Sequence, residues 1–173
     1  MARHRLGRAA VGAAAFFVVA PGGVAGLAPY LISGWRLDRR LPGGLRVLGA
    51  VLIAAAVLSV AESFVRFVAR GHGTPAPVSP PRHLVVSGQY RYLRNPMYLS
   101  LVAIVVGQAV WFGSAALAAY AAVLLGLFHL RVVTCEEPRL SQLFGGEFAS
   151  YRRAVPRWLP RLGPWRPSRP GSP

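Results

Sequence analysis

The fold is decided by the stretch from Met97 to Arg131, which reads MYLSLVAIVVGQAVWFGSAALAAYAAVLLGLFHLR. Two apolar runs, Met97 to Phe112 and Ala115 to about Arg131, flank the pair Gly113-Ser114. Such a short break favours a tight turn, so the second run returns to the face that the first run left. At 1.5 Å per residue, each arm is roughly 24 to 26 Å long, a little short of a bilayer core of about 30 Å. The stretch predicts a helical hairpin in a membrane.

The composition extends this prediction to the whole chain of 173 residues, of which 54% are hydrophobic and 14% charged, with a mean hydropathy of +0.42. Each bilayer crossing requires roughly 20 apolar residues. Two further runs qualify, from Ala9 to about Ile32 and from about Leu45 to Val68. Pro21-Gly22-Gly23 predicts a kink in the first, whose freed carbonyls neighbouring helices must satisfy. We expect an all-α polytopic membrane bundle of about four transmembrane spans, with a C-terminal amphipathic surface helix.

The charge distribution favours a membrane surface over nucleic acid as the partner. All 20 basic residues are arginine, and only five acidic residues oppose them. The arginines flank apolar runs and do not form a basic domain with interleaved aromatics, so we expect contact with membrane lipids and no nucleic-acid binding. In a four-span arrangement, sixteen arginines lie on one side and four on the other. The positive-inside rule then predicts a multi-pass protein with both termini, and the segment before the hairpin, in the cytoplasm.

The chain divides into residues 1–81 with the first spans and a linker, a core at 82–160, and an Arg/Pro-rich tail at 161–173. The linker, Ala69 to Pro81, is too rich in proline and glycine for a helix, and we interpret its His72 as a solvated loop residue. After the hairpin, residues 136–153 have the spacing of an amphipathic helix on the membrane surface. Trp158 and Trp165 are expected at the lipid headgroups.

For four of the polar residues inside the apolar runs, a structural role and a functional role both have to be considered. Glu62 and Arg66 lie four apart on one helical face, as a structural pair or as a carboxylate lining a substrate cavity. Gln108 is expected to bond across to another helix. His129 is either a core histidine bonded to a neighbouring helix or a residue near a substrate.

The residues best suited to chemistry lie on either side of the hairpin. Arg94 precedes it and Glu136-Glu137 follow it, so the hairpin brings these rare charges to one face. No Ser-His-Asp set, Walker loop or zinc spacing occurs, and the single Cys135 excludes a cysteine-cluster metal site. An arginine, aromatics and two carboxylates suit a zwitterionic ligand with a ribose or an ammonium group. The alternatives are an interfacial arginine, a structural arginine–glutamate pair, and an aromatic-belt role for Tyr98.

The motif around Arg94 is similar to that of a known family. Residues 88–98 read GQYRYLRNPMY, and after the hairpin come Glu136-Glu137-x-x-Leu140, Phe144-Gly145, Tyr151 and Val155-Pro156-Arg157. This ordered set, covering about 82–160, closely resembles the isoprenylcysteine carboxyl methyltransferase and phospholipid methyltransferase family.

The resemblance implies an integral membrane methyltransferase that uses S-adenosylmethionine and no metal. Its cofactor-binding residues would be Tyr90, Arg94, Asn95, Pro96, Tyr98, Glu136 and Glu137, and its catalytic candidates Arg94, Asn95 and Glu137. Arg94 would pair with the cofactor carboxylate, since a guanidinium fork matches that shape. Glu136 or Glu137 would accept from its ammonium or ribose, and Tyr90, Tyr92 or Tyr98 would pack against adenine or the sulfonium.

The family usually has histidine where this chain has Asn95, and asparagine cannot take up a proton near neutral pH. An amine acceptor must lose a proton, whereas a carboxylate or thiolate is already nucleophilic. This difference favours a carboxylate or sulfur acceptor, isoprenylcysteine-like or otherwise lipophilic. A phospholipid amine, a small thiol, and an inactive scaffold or transporter of the same fold are the alternatives.

Overall fold

The computed structural model describes residues 21–166 apart from residue 39, residues 72–83 and residue 85. Five helices follow one another in this part of the chain: α1 (Gly23–Ser33), α2 (Gly43–Gly71), α3 (Pro96–Phe112), α4 (Ala115–Arg131) and α5 (Glu137–Ala154). The described residues contain no strand, and the predicted all-α fold is confirmed. Residues 9–20 of the first predicted span, His72 with most of the linker, and the tail beyond residue 166 lie outside the described residues.

The predicted hairpin is formed by α3 and α4. Gly113 ends α3 with a φ of +71°, a conformation that glycine adopts at little cost. Ser114 then caps α4, and its side chain accepts from the backbone N–H of Leu117 at 3.3 Å. The two arms pack through a buried cluster that includes Val105 and Leu124. Local turn chemistry and apolar packing therefore give the same hairpin.

Helices α2 and α3 approach so closely that their backbones touch. A Cβ atom added to Gly107 would lie 2.7 Å from Cγ1 of Ile53 and 3.0 Å from the carbonyl oxygen of Gly49. One added to Gly49 would lie 2.8 Å from the carbonyl oxygen of Gly107. Small residues at such a crossing are typical of membrane helices, where dispersion and close backbone approach replace the hydrophobic effect.

The first helix contains a π-helical turn at Gly23–Leu27, which begins at the last residue of the stretch where a kink was predicted; Gly22 itself is helical. The N–H of Ala28 bonds back five residues to the carbonyl of Gly23, and Pro29 supplies no N–H at all. Carbonyls one turn before the proline are therefore left without helical partners. In a membrane such groups must find partners on neighbouring helices.

Side chains of the hairpin supply those partners. The hydroxyl of Tyr120 donates to the carbonyl of Val24 at 3.0 Å, and Nε2 of Gln108 donates to the carbonyl of Ala25 at 2.6 Å. The Oε1 atom of Gln108 accepts from the indole of Trp35 at 3.2 Å. The predicted bond of Gln108 to another helix is confirmed. The carbonyls that these side chains bind precede Pro29, whereas the kink was predicted from Pro21-Gly22-Gly23.

The apolar surface is that of a membrane bundle. Gly43–Ser63 and the continuous run Ala115–Ala154 each contain an apolar stretch long enough to cross a bilayer, and Gly23–Ser33 and Pro96–Phe112 are shorter apolar helices. Large apolar side chains point outward, among them Leu58 at 71% exposure and Leu127 at 58%. In lipid, such faces lie in a solvent as apolar as themselves.

The C-terminal helix α5 continues from α4 and does not form a separate element. A π-helical turn, Val132–Glu136, joins them into one run of 40 residues. Within α5, Gly145 breaks the helical geometry with φ +47° and ψ −120°. The sequence predicted the helix but neither its continuity with the hairpin nor this kink.

Candidate functional site

The loop that leads into α3 begins with a tight 3₁₀ turn, Gly88–Arg91. Gly88 has a φ of +56°, and a Cβ atom there would overlap the guanidinium of Arg66. The backbone therefore favours glycine here, and any larger residue would also displace the guanidinium of Arg66. The loop ends at Asn95, and Pro96 takes the first position of α3, where its missing N–H costs nothing.

At the end of this loop, Arg94 meets Glu137 from the far side of the hairpin. Nη1 of Arg94 donates to Oε1 of Glu137 at 2.7 Å, and the two side chains are only 10% and 9% exposed. The predicted convergence of these residues at one face is confirmed. A charge-assisted pair this well shielded from water is a stronger contact than an exposed ion pair.

Two further arginines surround the same carboxylate. Arg157 grips it with two hydrogen bonds, Nε to Oε1 at 2.8 Å and Nη2 to Oε2 at 3.0 Å. Arg152 lies farther away, with Nη1 at 3.9 Å from Oε2 and its side chain 54% exposed. Arg94, Arg152, Arg157 and Glu137 form what we call the arginine cluster. With three guanidinium groups and one carboxylate, it carries a surplus of positive charge.

Arg157 reaches the cluster because the residues after α5 fold back over the loop. We call residues 155–166 the C-terminal segment. The N–H of Arg94 donates to the carbonyl of Pro156 in this segment at 2.9 Å. In the other direction, the N–H of Trp165 donates to the carbonyl of Arg91 at 2.9 Å. The N–H of Arg161 similarly donates to the carbonyl of Tyr92 at 3.0 Å. These bonds fix the segment against the loop backbone, whatever its side chains do.

The neighbouring Glu136 faces a different set of groups. Its Oε1 atom accepts from the hydroxyl of Tyr98 and, at 3.1 Å, from Nε of Arg131. The Tyr98 ring packs on Phe128 with the ring centroids 4.5 Å apart. The two adjacent glutamates thus serve two separate groups, one buried among arginines and one partly exposed beside a tyrosine.

Tyr90 and Asn95 complete the set of predicted residues. Burial, with the nearby charge of Glu136, raises the pKa of the Tyr90 hydroxyl, so the phenol is neutral at physiological pH. The carbonyl of Tyr90 accepts from the hydroxyl of Tyr151 at 2.6 Å. Nδ2 of Asn95 donates to the carbonyl of Arg157 at 3.3 Å. Asn95 therefore helps to hold the C-terminal segment that supplies Arg157.

The electrostatics of Arg94 leave it charged but incompletely bonded. Burial lowers its pKa, and the carboxylate of Glu137 opposes that shift. An arginine retains its charge in proteins under such conditions. Its Nε atom is buried and has no hydrogen-bond partner among the described residues. One donor of this guanidinium is therefore unpaired among the described residues.

Comparison with known proteins identifies the family. Residues 45–147, more than half of the chain, match the sequence pattern of the family described as "Phospholipid methyltransferase". The chain belongs to the phospholipid methyltransferase family. The match takes in Arg94, Glu136 and Glu137 but ends before Arg152 and Arg157. The part of the arginine cluster contributed after residue 147 is therefore outside the matched region.

Three curated proteins are similar to this family member over part of their length. Protein-S-isoprenylcysteine O-methyltransferase of Schizosaccharomyces pombe is 28% identical over 120 residues, 69% of this chain and 48% of the relative. Cobalt-zinc-cadmium resistance protein CzcN of Cupriavidus metallidurans is 34% identical over 83 residues, 48% of this chain and 38% of the relative. Nickel-cobalt-cadmium resistance protein NccN of Alcaligenes xylosoxydans xylosoxydans is 35% identical over 83 residues, with the same coverage. The chain thus spans about half or less of these relatives. No solved structure matches it.

The remaining predicted residues have mixed outcomes in this phospholipid methyltransferase family member. The pair of Glu62 and Arg66 is present, with Nε donating to Oε1 at 2.7 Å. His129 is exposed, and its Nδ1 atom accepts from the indole of Trp158 at 3.1 Å, so its partner is the C-terminal segment and not a helix. Within the described ranges, no group of three or more His, Cys, Asp and Glu residues is placed to hold a metal ion.

Arg152 and Arg157 are the members of the cluster that the sequence did not predict as site residues, and Arg157 makes the closer contact with Glu137. It was part of the Val155-Pro156-Arg157 motif in the family resemblance, but nothing local indicated that its side chain reaches Glu137. An apolar groove of about 310 Å³ lies elsewhere, at the closed end of the hairpin between Val106 and Ala118. The groove begins at Val106, ten residues and about 15 Å along α3 from the start of the helix, and does not belong to the arginine cluster.

Proposed function

We propose that this protein is an integral membrane methyltransferase that binds S-adenosylmethionine at the arginine cluster. The observation that carries the proposal is the surplus of guanidinium groups around Glu137, with the buried Nε atom of Arg94 lacking a partner. Membership of the phospholipid methyltransferase family supports the reaction class.

The residues of the cluster fit the carboxylate of this cofactor. Arg94, Arg152 and Arg157 together carry more positive charge than Glu137 neutralises, so an added carboxylate lowers the electrostatic cost of the cluster. The unpaired donor of Arg94 matches carboxylate geometry, whereas Arg157 already uses Nε and Nη2 on Glu137 and has only Nη1 left for a ligand. We therefore assign the carboxylate of the cofactor to Arg94, with Arg157 as an additional contact.

The ammonium or ribose of the cofactor fits Glu136 better than Glu137. Both oxygens of Glu137 already accept from arginines. Glu136 accepts through Oε1, and its Oε2 atom has no hydrogen-bond partner among the described residues. Glu136 thus retains acceptor capacity, and the ring of Tyr98 beside it supplies an aromatic face for a cationic group.

The chemistry makes modest demands on the protein. When bound, S-adenosylmethionine supplies an activated methyl group on a sulfonium. The residues of this chain have to orient the reactants and exclude water, for which no covalent intermediate is needed. Tyr90 provides a neutral, half-buried phenol, and Asn95 provides a hydrogen-bond donor that anchors the C-terminal segment. We assign no proton transfer to Asn95.

The acceptor we propose is a lipophilic carboxylate or thiolate that reaches the site from the bilayer. The name of the Schizosaccharomyces pombe relative refers to isoprenylcysteine and O-methylation. At the same end of α4, Leu127 and Leu130 are 58% and 59% exposed, so an apolar chain could lie along this helix beside the polar cluster. A phospholipid amine and a small thiol are the alternative acceptors. The arginine distribution supports a site that faces the cytoplasm.

The second candidate is a membrane scaffold in which the arginine cluster is structural. Its support is that Glu137 is fully bonded without any ligand, as a purely structural ion cluster would be. Two of the similar proteins are named for metal resistance and not for methyl transfer, which is compatible with a role other than catalysis. The two functions differ in one measurable property, the binding and use of S-adenosylmethionine.

The experiment uses membranes that contain the full-length protein, incubated with methyl-labelled S-adenosylmethionine. Label is followed into lipid-extractable, protein-bound and volatile fractions. Arg94→Lys keeps the charge and removes the fork, and Arg139→Ala removes an exposed arginine of α5 as the matched control. We expect label in one fraction, lost in Arg94→Lys and retained in Arg139→Ala.

Binding separates a missing acceptor from a missing activity. If no fraction is labelled, thermal unfolding of the purified protein is measured with S-adenosylmethionine and with its demethylated product. A ligand at 100 times its dissociation constant stabilises a protein by about 2.7 kcal/mol. Stabilisation that Arg94→Lys abolishes supports the enzyme, and no stabilisation by either compound refutes it in favour of the scaffold.

A further inference from the structure

A chain of polar side chains connects the loop before α3 to the middle of α2. Ser59, Glu62 and Arg66 lie on one face of α2, three and four residues apart. They meet Gln89 of the loop and Ser100 of α3. We call these five residues the α2 polar cluster. Among the described residues, no hydrogen bond joins this cluster to the arginine cluster. Any effect of the α2 polar cluster on the site therefore has to pass through the loop.

Gln89 is held at both ends of its amide group. Its Nε2 atom donates to Oε2 of Glu62 at 2.6 Å, and its Oε1 atom accepts from the hydroxyl of Ser59 at 2.7 Å. The backbone carbonyl of Ser59 lies 3.4 Å from the same Nε2 atom. Gln89 is the second residue of the 3₁₀ turn and precedes Tyr90 directly. The turn that presents Tyr90 is therefore fixed to α2.

The other end of the loop is fixed at the same place. The hydroxyl of Ser59 lies 2.6 Å from that of Ser100. Because Ser59 gives its one hydrogen to Gln89, Ser100 is the donor in this contact, and it can donate to the carbonyl of Pro96 at 2.8 Å only when it does not donate to Ser59. Pro96 directly follows Asn95, and Ser100 is buried. One serine of α2 thus bonds to Gln89 and to Ser100 in the first turns of α3, and Arg94 lies in the chain between these two contacts.

The ionised carboxylate of Glu62 sets the direction of these bonds. A carboxylate only accepts, so Gln89 has to turn its amino group to Glu62 and its oxygen to Ser59. Arg66 donates to the other oxygen of Glu62 at 2.7 Å, which favours the charged form. Half-exposed salt bridges contribute little to stability on their own, but this one orients a hydrogen-bonded chain.

We propose that Gln89, with Glu62 and Ser59, positions the site for methyl transfer by holding segment 89–96 against α2. The proposal rests on the proposed function and assigns these three as positioning residues and not catalytic residues. It gives α2 a part in the site beyond spanning the membrane. Both ends of the segment have to be held, because a displacement of about 1 Å at a reacting site can lower a rate about a hundredfold.

The test exchanges the two side chains that meet. In Gln89→Glu, two carboxylates face each other where donor and acceptor now lie 2.6 Å apart. In the double variant Glu62→Gln with Gln89→Glu, the amide and the carboxylate are exchanged, and the hydrogen bonds to Arg66 and Ser59 can re-form. Gln142→Glu, at an exposed position of α5, is the matched control for the same chemical change.

We expect the dissociation constant for S-adenosylmethionine to rise about tenfold in Gln89→Glu and to return to within about threefold of wild type in the exchanged double variant. The methyl-transfer rate constant should fall in the single variant and recover in the double one. The control should match wild type. A double variant as impaired as Gln89→Glu, or a single variant that matches the control, overturns the proposal.

Hydrogen exchange of residues 88–96 tests the clamp without any cofactor. We expect faster exchange in Gln89→Glu and in Ser59→Ala, which keeps the charge pattern of α2, and recovery in the exchanged double variant. If wild-type protein does not bind S-adenosylmethionine, the proposed function fails, and the exchange data still decide whether Gln89 holds the loop. Unchanged exchange in both single variants overturns the positioning role.

Discussion

Glutamine in place of Glu137 tests how much the arginine cluster contributes to stability. The substitution keeps the size and one acceptor oxygen of the side chain but removes the charge that three guanidinium groups share. The Arg94 side chain is 10% exposed, so water cannot solvate its charge when the carboxylate is removed. The Arg157 side chain is 27% exposed, so water can solvate its charge in part. Removing one partner of a buried ion pair costs about 3 to 5 kcal/mol. The retained amide oxygen places Glu137→Gln near the lower end, at about 3 kcal/mol.

The assay is thermal unfolding of the detergent-solubilised protein, followed by tryptophan fluorescence. For a chain of this size, 1 kcal/mol corresponds to about 2 to 4 °C in Tm. We therefore expect Glu137→Gln to lower Tm by about 6 to 12 °C. No ligand is needed, so the result does not depend on the proposed enzymatic function.

Arg152→Ala is the matched control from the same cluster. Its guanidinium lies 3.9 Å from Glu137 and its side chain is 54% exposed, so the pair is worth about 0 to 1 kcal/mol. The expected decrease in Tm is at most about 4 °C. A Glu137→Gln protein no less stable than Arg152→Ala would refute the reasoning, because it would mean that the buried carboxylate is not required to offset the buried guanidinium of Arg94.

Three further substitutions, two of them with a matched control variant, test the helix contacts and the α5 kink by the same unfolding assay. Gly107→Val should cost roughly 1 to 3 kcal/mol, since a Cβ atom there lies 2.7 Å from an isoleucine of α2, while Gly126→Val, with open space around it, should cost under about 1 kcal/mol. Equal losses in the two would contradict the close approach of α2 and α3. Gln108→Leu should cost about 1 to 3 kcal/mol by leaving a carbonyl of α1 and an indole N–H without partners, and an unchanged Tm would show that these groups find others. Gly145→Ala should cost about 1 to 3 kcal/mol through its φ of +47°, whereas Gly146→Ala, in ordinary helical geometry, should be neutral or stabilising; the reverse order would place the kink elsewhere.

The hairpin could be predicted because its determinants are local. Gly113 supplies the positive φ that ends α3, and Ser114 supplies the cap that starts α4. Each apolar run is a single helix, so no long-range pairing had to be guessed. The same locality explains why Arg94 and Glu137 could be placed together, since they flank the two open ends of the hairpin. Only the topology was needed for that placement, whereas the 2.7 Å contact and the choice of Glu137 over Glu136 come from the structure.

The partners of Gln108 show where prediction from sequence stops. A lone glutamine in an apolar run predicts a bond to another helix, but its acceptor exists because Pro29 leaves the carbonyl of Ala25 without a helical donor. Because every residue has a backbone carbonyl, the sequence does not show which carbonyl lacks a helical partner. The identity of the partner depends on how α1 lies against the hairpin, which is a property of packing and not of local sequence.

Arg157 could not be placed for a related reason. The C-terminal segment has neither helical nor strand periodicity, and it is held by the backbone groups of Arg91, Tyr92 and Arg94. Backbone bonds leave no trace in composition or spacing. The segment was expected at the lipid headgroups on the basis of its tryptophans, and the structure adds that Trp165 packs against Tyr151 with the ring centroids 5.5 Å apart.

The surplus charge of the arginine cluster is the feature that connects structure to the proposed function. A purely structural network reaches its lowest energy when guanidinium and carboxylate groups balance, because each unmatched buried charge keeps its desolvation cost. Here a single carboxylate serves three guanidinium groups, and the most deeply buried of them, Arg94, also has a free donor atom. An arriving carboxylate both fills that donor and brings the charge closer to balance. We therefore expect the cluster to gain more stability from the demethylated cofactor product, which carries a carboxylate, than from its methyl ester, which keeps the ammonium but has no carboxylate charge. Equal stabilisation by the two compounds would argue that the cluster is structural.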